Sequence, residues 1–318
     1  MRRRNLFLAF LASPLFFMWS YFLLAHYTMG DQVYYLRLWE ALQGSHLTEA
    51  LALSQIHVSS SEPLAALVLW FGANLGIEKN FYVSLLNIGL GVGLFFILYL
   101  HKAPCYVYFL VFSNFYLIVL MTSAERLKIA YIFIFFSALL PHKYRFGMAA
   151  LTPLAHFQSL IFLASLVAIE SAEALKRFLK NFVLVKQLIF VLCFTLSAPL
   201  LFSLLEYILL SKITLYLEES RGFSELWQIS ALGIIGTLAT KSRLRMLAAL
   251  APLTIAIYLL GGTRANMIAV TVVLYLLLIE GRISHPLALL LMVYLSAKSV
   301  PFVINILTNG DGFDGYLF

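Results

Sequence analysis

Charge is what this chain has least of. Asp, Glu, Lys and Arg together make up 12% of its 318 residues, where a soluble globular domain carries about a quarter. So little charge cannot cover a water-facing surface of ordinary composition, which excludes the soluble globular class. Cysteine is nearly missing too, with only Cys105 and Cys193. Both fall in apolar runs without metal-ligand spacing and read as inert core residues rather than a disulfide or a metal site. No repeat of fixed period and no low-complexity tract divides the sequence, so one integral domain over residues 1–318 is expected. H-E-x-x-H, a P-loop and G-x-S-x-G are all missing. The "GLGVG" of residues 89–93 sits in an apolar run and reads as a helix-packing surface. "DGFDG" at residues 311–315 offers two carboxylates, too few oxygen ligands for a Ca²⁺ or Mg²⁺ site. Neither metal nor cofactor is expected.

What the chain does have is apolar length. Hydrophobic residues reach 62% and the mean hydropathy is +0.91. Runs long enough to cross a hydrocarbon core of about 30 Å recur along the sequence. The expected fold is an all-α polytopic integral membrane protein of roughly 10–12 hydrophobic helices, some short or re-entrant. The formal charge of +7 needs no nucleic-acid partner. Basic residues gather on the cytoplasmic side of membrane proteins, and no stretch interleaves basic and aromatic residues as a nucleic-acid surface does. The opening "MRRRNLFLAFLASPLFFMWSYFLLAHYTMG" has too long an apolar run for a signal peptide, and no small-x-small cleavage site follows. It reads as a first spanning helix with Arg2, Arg3 and Arg4 in the cytoplasm.

Further basic clusters are Lys102, the "HKYR" of residues 142–145, Lys176/Arg177/Lys180/Lys186, the "KSRLR" of residues 241–245, and Arg282. If all face the cytoplasm, residues 104–123 run outward and 127–140 return. Residues 187–210 run outward and 227–240 return; 246–262 run outward and 265–280 return. A final helix near 286–307 leaves "NGDGFDGYLF" outside. Two outer loops result, residues 26–62 and 211–226. Residues 146–170 have basic flanks on both sides and carry Pro153 and His156 centrally. They read as a hairpin of two short helices turning near residues 152–156, since proline breaks a helix and broken backbone in a membrane needs protein or water around it. Of residues 63–75 and 81–100, one is expected to be partial or re-entrant. Within the first outer loop, Val33, Leu36 and Trp39 recur at helical spacing beside Asp31, Arg37 and Glu40, the pattern of a helix lying on a membrane surface. Residues 170–186 read likewise on the inner face.

The stretch "MTSAERLKIAYIFIFF" at residues 121–136 sets Glu125, Arg126 and Lys128 between two apolar runs. At 1.5 Å per residue, Arg126 stands roughly 22 Å from Pro141, Arg264 roughly 24 Å from Glu280, and Lys298 roughly 18 Å from Pro286. In a core of about 30 Å both arginines would then lie about 6–8 Å below the outer surface. Snorkelling of long side chains to the headgroups is one explanation, above all for Lys298. The other is an anion site. Both arginines begin helices, where the macrodipole disfavours a cation unless an anion joins it and free N–H groups offer a ready phosphate site.

"ERLKIA", an apolar run, the basic turn "HKYR", a second apolar run and "AHFQS" at residues 155–159 resemble the EpsG-like group of Wzy-type polysaccharide polymerases. An Arg-x-x-x-Ala helix start followed by a His-x-Ser-like patch carries the likeness, with the acidic "DQVYY" after the first helix and "SEP" around Glu62. It covers roughly residues 30–170. Here Leu127-Lys128 replace the family's Gln-Gly after the arginine, and Phe157-Gln158 separate histidine from serine. The resemblance implies a GT-C-like membrane glycosyltransferase in a bacterial inner membrane, using neither a nucleotide sugar nor a metal. Such an enzyme moves a growing glycan from polyprenyl diphosphate to a hydroxyl of the next lipid-linked repeat unit at the outer face. Its expected partners are these lipid-linked oligosaccharides, the bilayer, and a chain-length regulator and flippase of the same pathway.

Applied to these residues, Arg126 and Arg264 would hold the departing diphosphate, with Lys128, Arg221 and Lys298 as further candidates. Arginine suits the task because its fork donates two parallel hydrogen bonds. His156 is the candidate base, or else a hydrogen-bond partner for a carbonyl freed by the helix break. Asp31, Glu62 and Glu125 are the alternative bases, Glu125 equally a partner for Arg126. Tyr34, Tyr35 and Trp39 would stack on sugar rings, or form part of an aromatic interface belt. Two other classes stay open. A flippase for lipid-linked oligosaccharide calls for broken helices at corresponding positions of two halves. A non-catalytic partner in an assembly complex calls for no buried cationic pocket.

Overall fold

Proline and left-handed glycine mark several helix boundaries. Pro63 and Pro286 each occupy the first position of a helix, where a missing N–H costs nothing, and Pro104 and Pro141 stand immediately before others. The computed structural model describes residues 2–181, 226–260 and 262–313. Among these every regular element is helical: α1 (Arg2–His26), α2 (Asp31–Leu42), a 3₁₀ turn (Leu47–Glu49), α3 (Ala50–Val58), α4 (Pro63–Asn74) and α5 (Lys79–Leu100) come first. Then follow α6 (Cys105–Phe112), α7 (Phe115–Thr122), α8 (Glu125–Leu139), α9 (His142–Ala150), α10 (Thr152–Ala155) and α11 (Ser159–Asn181). The rest are α12 (Leu226–Ala239), α13 (Arg243–Leu260), α14 (Gly262–Ile279) and α15 (Pro286–Asn309). The expected helix at residues 187–210 and the outer loop at 211–226 lie outside the described residues, save Leu226 itself.

By length and composition α5 and α15 are apolar enough to cross a membrane, and α6 with α7 make a third such span if the bent pair is counted as one. The segment expected to run outward over residues 104–123 is built of two helices meeting at 51°. Asn114 causes the break by accepting from the Tyr116 N–H at 2.8 Å, an N-cap that starts a new helix. Ser113 helps by bonding back to Phe109 O and across to Ser296 of α15 at 2.9 Å. Of residues 63–75 and 81–100 the short one is α4, whose 12 residues extend only about 18 Å.

Between residues 146 and 170 the chain does break near 152–156, although α9 already starts at His142. Pro153 sits in the first turn of α10, and His156 leaves that helix with extended backbone. The separate inner-face helix expected over residues 170–186 is corrected. Residues 170–181 continue α11, which has neither glycine nor proline and is rich in helix-forming Ala, Leu, Glu and Lys.

Two compact units divide the chain: Met1–Ser159 with Leu289–Phe318, and Leu160–Ala288. In the first, α1 packs along α5 so closely that a Cβ on Gly91 would sit 2.4 Å from the Phe16 ring, which makes "GLGVG" part of that contact. Residues 26–62 form no bare loop. α2, α3, α4 and the start of α5 share a core of Tyr35, Leu38, Trp39, Leu42, Ala50, Leu69, Ala73 and Tyr82. The face of α2 that packs is therefore Tyr35/Leu38/Trp39/Leu42, and Leu36, expected on the apolar face, is 48% exposed.

Residues 310–313 close this unit against the end of α1. Thr28 and Met29 donate their N–H groups to Gly310 O at 3.0 and 2.8 Å, and the Tyr27 hydroxyl donates to Asp311 at 3.2 Å. Burial, then Asp311 and Asp31, push the Tyr27 phenol up, so it stays a donor. Gly30 is required here. Its φ is +56° and a Cβ would lie 3.0 Å from the Asp311 carboxylate. In the second unit, Glu280 at the end of α14 accepts from Thr240 Oγ1 and Lys241 N, both at 2.7 Å, tying α14 to the α12–α13 turn.

Candidate functional site

Glu125 and Arg126 open α8 as neighbours, and neighbours on a helix point about 100° apart. They accordingly enter two different buried networks. Arg126 turns toward α4 and α2. Its Nη1 donates to Glu62 Oε2 at 2.6 Å and its Nε to the Tyr35 hydroxyl at 3.1 Å. The anion that the start of α8 calls for is the protein's own Glu62.

Glu62 stands at the N-cap position of α4, completely enclosed. The preceding turn places Ser59 in the left-handed region (φ 49°), and the Ser60 hydroxyl then donates to Glu62 Oε2. The other oxygen, Oε1, lies 3.2 Å from His156 Nδ1. One carboxylate thus bridges a guanidinium and an imidazole from chain segments 64 and 94 residues away. His156 is 4% exposed, and its second nitrogen, Nε2, is 3.2 Å from Gln158 Oε1. A carboxylate on Nδ1 fixes the ring and turns Nε2 to the other side, the arrangement that orients catalytic histidines.

The second network fills the break between α7 and α8. Lys128 and Glu125, one turn apart, pair at 2.8 Å with both side chains enclosed. Lys128 also donates to Met121 O at 3.1 Å, Asn87 Nδ2 donates to the same carbonyl at 3.0 Å, and Gln32 donates to Thr122 O and to Glu125 Oε1. Lys79, at the start of α5, donates to Gln32 Oε1. Side chains from α2, α5 and α8 thereby satisfy the carbonyls that end α7, as broken backbone in an apolar setting requires. Lysine at a helix C-terminus also suits the negative end of its dipole.

Several sequence expectations change here. Glu125 partners Lys128 and Gln32, not Arg126, because residues at i and i+3 share a helix face and adjacent ones do not. Lys128 is enclosed within this network and does not present its ammonium to a ligand. Lys298 Nζ lies 4.5 Å from the centroid of the Phe115 ring, a cation–π contact. Trp39 is 3% exposed with its ring 5.4 Å from that of Tyr82, so it is core and unavailable to a sugar. Tyr35 is buried on Arg126, while Tyr34 is 53% exposed. Asp31 opens α2, half-buried. Arg264 is the third residue of α14, in the other unit. Arg221 and Cys193 lie outside the described residues, and Cys105 is exposed rather than core.

Gln32, Lys79, Asn87 and Gln158 were not anticipated. Lys79 carried a signal, a cation at a helix start inside an apolar chain, the feature that singled out Arg126. Among the described residues no three His, Cys, Asp or Glu side chains converge to hold a metal ion. Set against family profiles, curated proteins and solved structures, the chain matches none of them.

The role of Lys128 is open to measurement. Lys128→Met leaves Glu125 buried without its cation and is expected to cost about 3–5 kcal/mol, read as a lower thermal midpoint in detergent. Adding Glu125→Gln should recover most of it. An unchanged midpoint in the single variant would mean that the pair is not a structural plug.

Proposed function

We propose that this chain is a membrane glycosyltransferase of the polysaccharide-polymerase type, multi-pass in a bacterial inner membrane with its N-terminus in the cytoplasm. The observation that carries the proposal is the Glu62 carboxylate held between His156 and Arg126. It joins three residues that the sequence nominates separately for proton transfer and diphosphate binding, within the segment that resembles the EpsG-like group.

In this reading the acceptor hydroxyl oxygen attacks the anomeric carbon of the glycan on polyprenyl diphosphate. Its proton passes to His156 Nε2, and the carbon–oxygen bond to the diphosphate breaks with the electron pair leaving on phosphate. Glu62 keeps the imidazole oriented and stabilises the imidazolium. Arg126 has used Nε and Nη1; its Nη2 has no partner among the described residues and is the donor left for a phosphate oxygen.

The direct test is to incubate the purified protein with its native lipid-linked repeat unit and resolve the products by size. A ladder of longer glycans supports the reading, and unchanged repeat units refute it. A second reading, a flippase for lipid-linked oligosaccharide, draws on the buried Lys79/Glu125/Lys128 network at broken helices, since ionisable groups and interrupted helices mark transport paths. Transbilayer movement of the repeat unit in reconstituted vesicles, without any ladder, is its signature.

A further inference from the structure

His156 Nε2, the atom assigned to proton transfer, is not open in this structure. Gln158 covers it at 3.2 Å, while Glu62 holds the other nitrogen at 3.2 Å. Only Phe157 separates the two residues, in the short turn between α10 and α11. Ser159 N donates to His156 O at 3.0 Å and pins that turn. Gln158 is only half-buried, whereas His156 is enclosed, so the amide is the movable side of the contact.

A carboxamide is an adaptable cover. Its NH₂ donates to a neutral Nε2 and its oxygen accepts from a protonated one, so the contact survives either state of the imidazole. A sugar hydroxyl has the same dual capacity. We propose that Gln158 is a positioning residue that occupies the place of the acceptor hydroxyl on His156 Nε2, and that the acceptor binds by displacing it. The site is thereby held closed to water until a hydroxyl competes for Nε2. This rests on the general-base reading of His156 given above.

Carbethoxylation by diethyl pyrocarbonate, which attacks the unprotonated imidazole nitrogen, tests the cover without depending on turnover. The rate at His156 is followed by peptide mass spectrometry on the intact protein in detergent. Gln158→Met keeps the length of the side chain and removes its polar group. It should speed modification of His156 about fivefold, the factor that one neutral hydrogen bond is worth. Gln158→Glu sets a second carboxylate opposite Glu62, favours the protonated ring, and should slow modification below wild type. Other histidines in the same digest report whether the fold has loosened. Equal rates at His156 in all three proteins overturn the cover, whatever the polymerisation assay gives. The expected order of rates in a protein that makes no glycan ladder would keep the cover and reject the polymerase reading.

Discussion

Glu62→Gln is expected to cost the protein both stability and turnover. The carboxylate is enclosed and receives Arg126, His156 and Ser60. An amide of the same shape still accepts one hydrogen bond but no longer balances the guanidinium. Breaking a buried pair from one side costs about 3–5 kcal/mol, because the surviving charge stays buried without compensation. Polymerisation should fall by at least about 10²-fold, since the imidazole loses the group that orients it. The two losses separate in the double variant. Glu62→Gln with Arg126→Met removes both charges and should regain most of the thermal midpoint, as buried pairs replaced together are nearly neutral. Activity should not return. If Glu62→Gln alone melts and polymerises like the wild type, this carboxylate is not the link between the two residues.

His156→Ala should show the opposite balance. The loss of its bond to Glu62 is worth about 1–3 kcal/mol, small enough for the protein to stay folded. Turnover should drop about 10²–10⁴-fold, the range for removing one acid–base group. Near-normal polymerisation in the folded variant would move the base to Glu62, which already faces this site, or to Asp31 at the start of α2. Measuring melting alongside activity in Glu62→Gln and His156→Ala thus distinguishes a residue that holds the site from one that exchanges the proton.

Local chemistry explains which of these features could be read from the chain. The boundaries of α8 and of α12–α15 follow apolar runs closed by glycine, proline or a basic turn, and they fall within a few residues of expectation. The break between α9 and α10 follows from Pro153. Two helical faces of α2 compete, and both contain Trp39. Choosing Tyr35/Leu38/Trp39/Leu42 over Val33/Leu36/Trp39 requires the neighbours supplied by α4 and α5. The 51° bend at Asn114 rests on one side-chain cap inside an otherwise continuous apolar run. Glu125 pairs with Lys128 in place of the expected Arg126, because residues at i and i+3 face each other and adjacent ones do not. The Glu62–His156 contact spans 94 residues, and no local rule reaches so far. Gln32 and Gln158 are uncharged and carry no local signal that separates them from surface glutamines.

The bond from Tyr27 to Asp311 crosses 284 residues of sequence, and that separation has a consequence for biosynthesis. A ribosome adds about 5–20 residues per second. The end of α1 therefore waits on the order of 15–60 seconds for the segment that closes over it. During that interval all of residues 160–288 emerges first, so the unit containing Glu62, Arg126 and His156 starts earlier and finishes later than its neighbour. Its nascent form must keep two buried charge networks from wrong partners while its last helix is still untranslated.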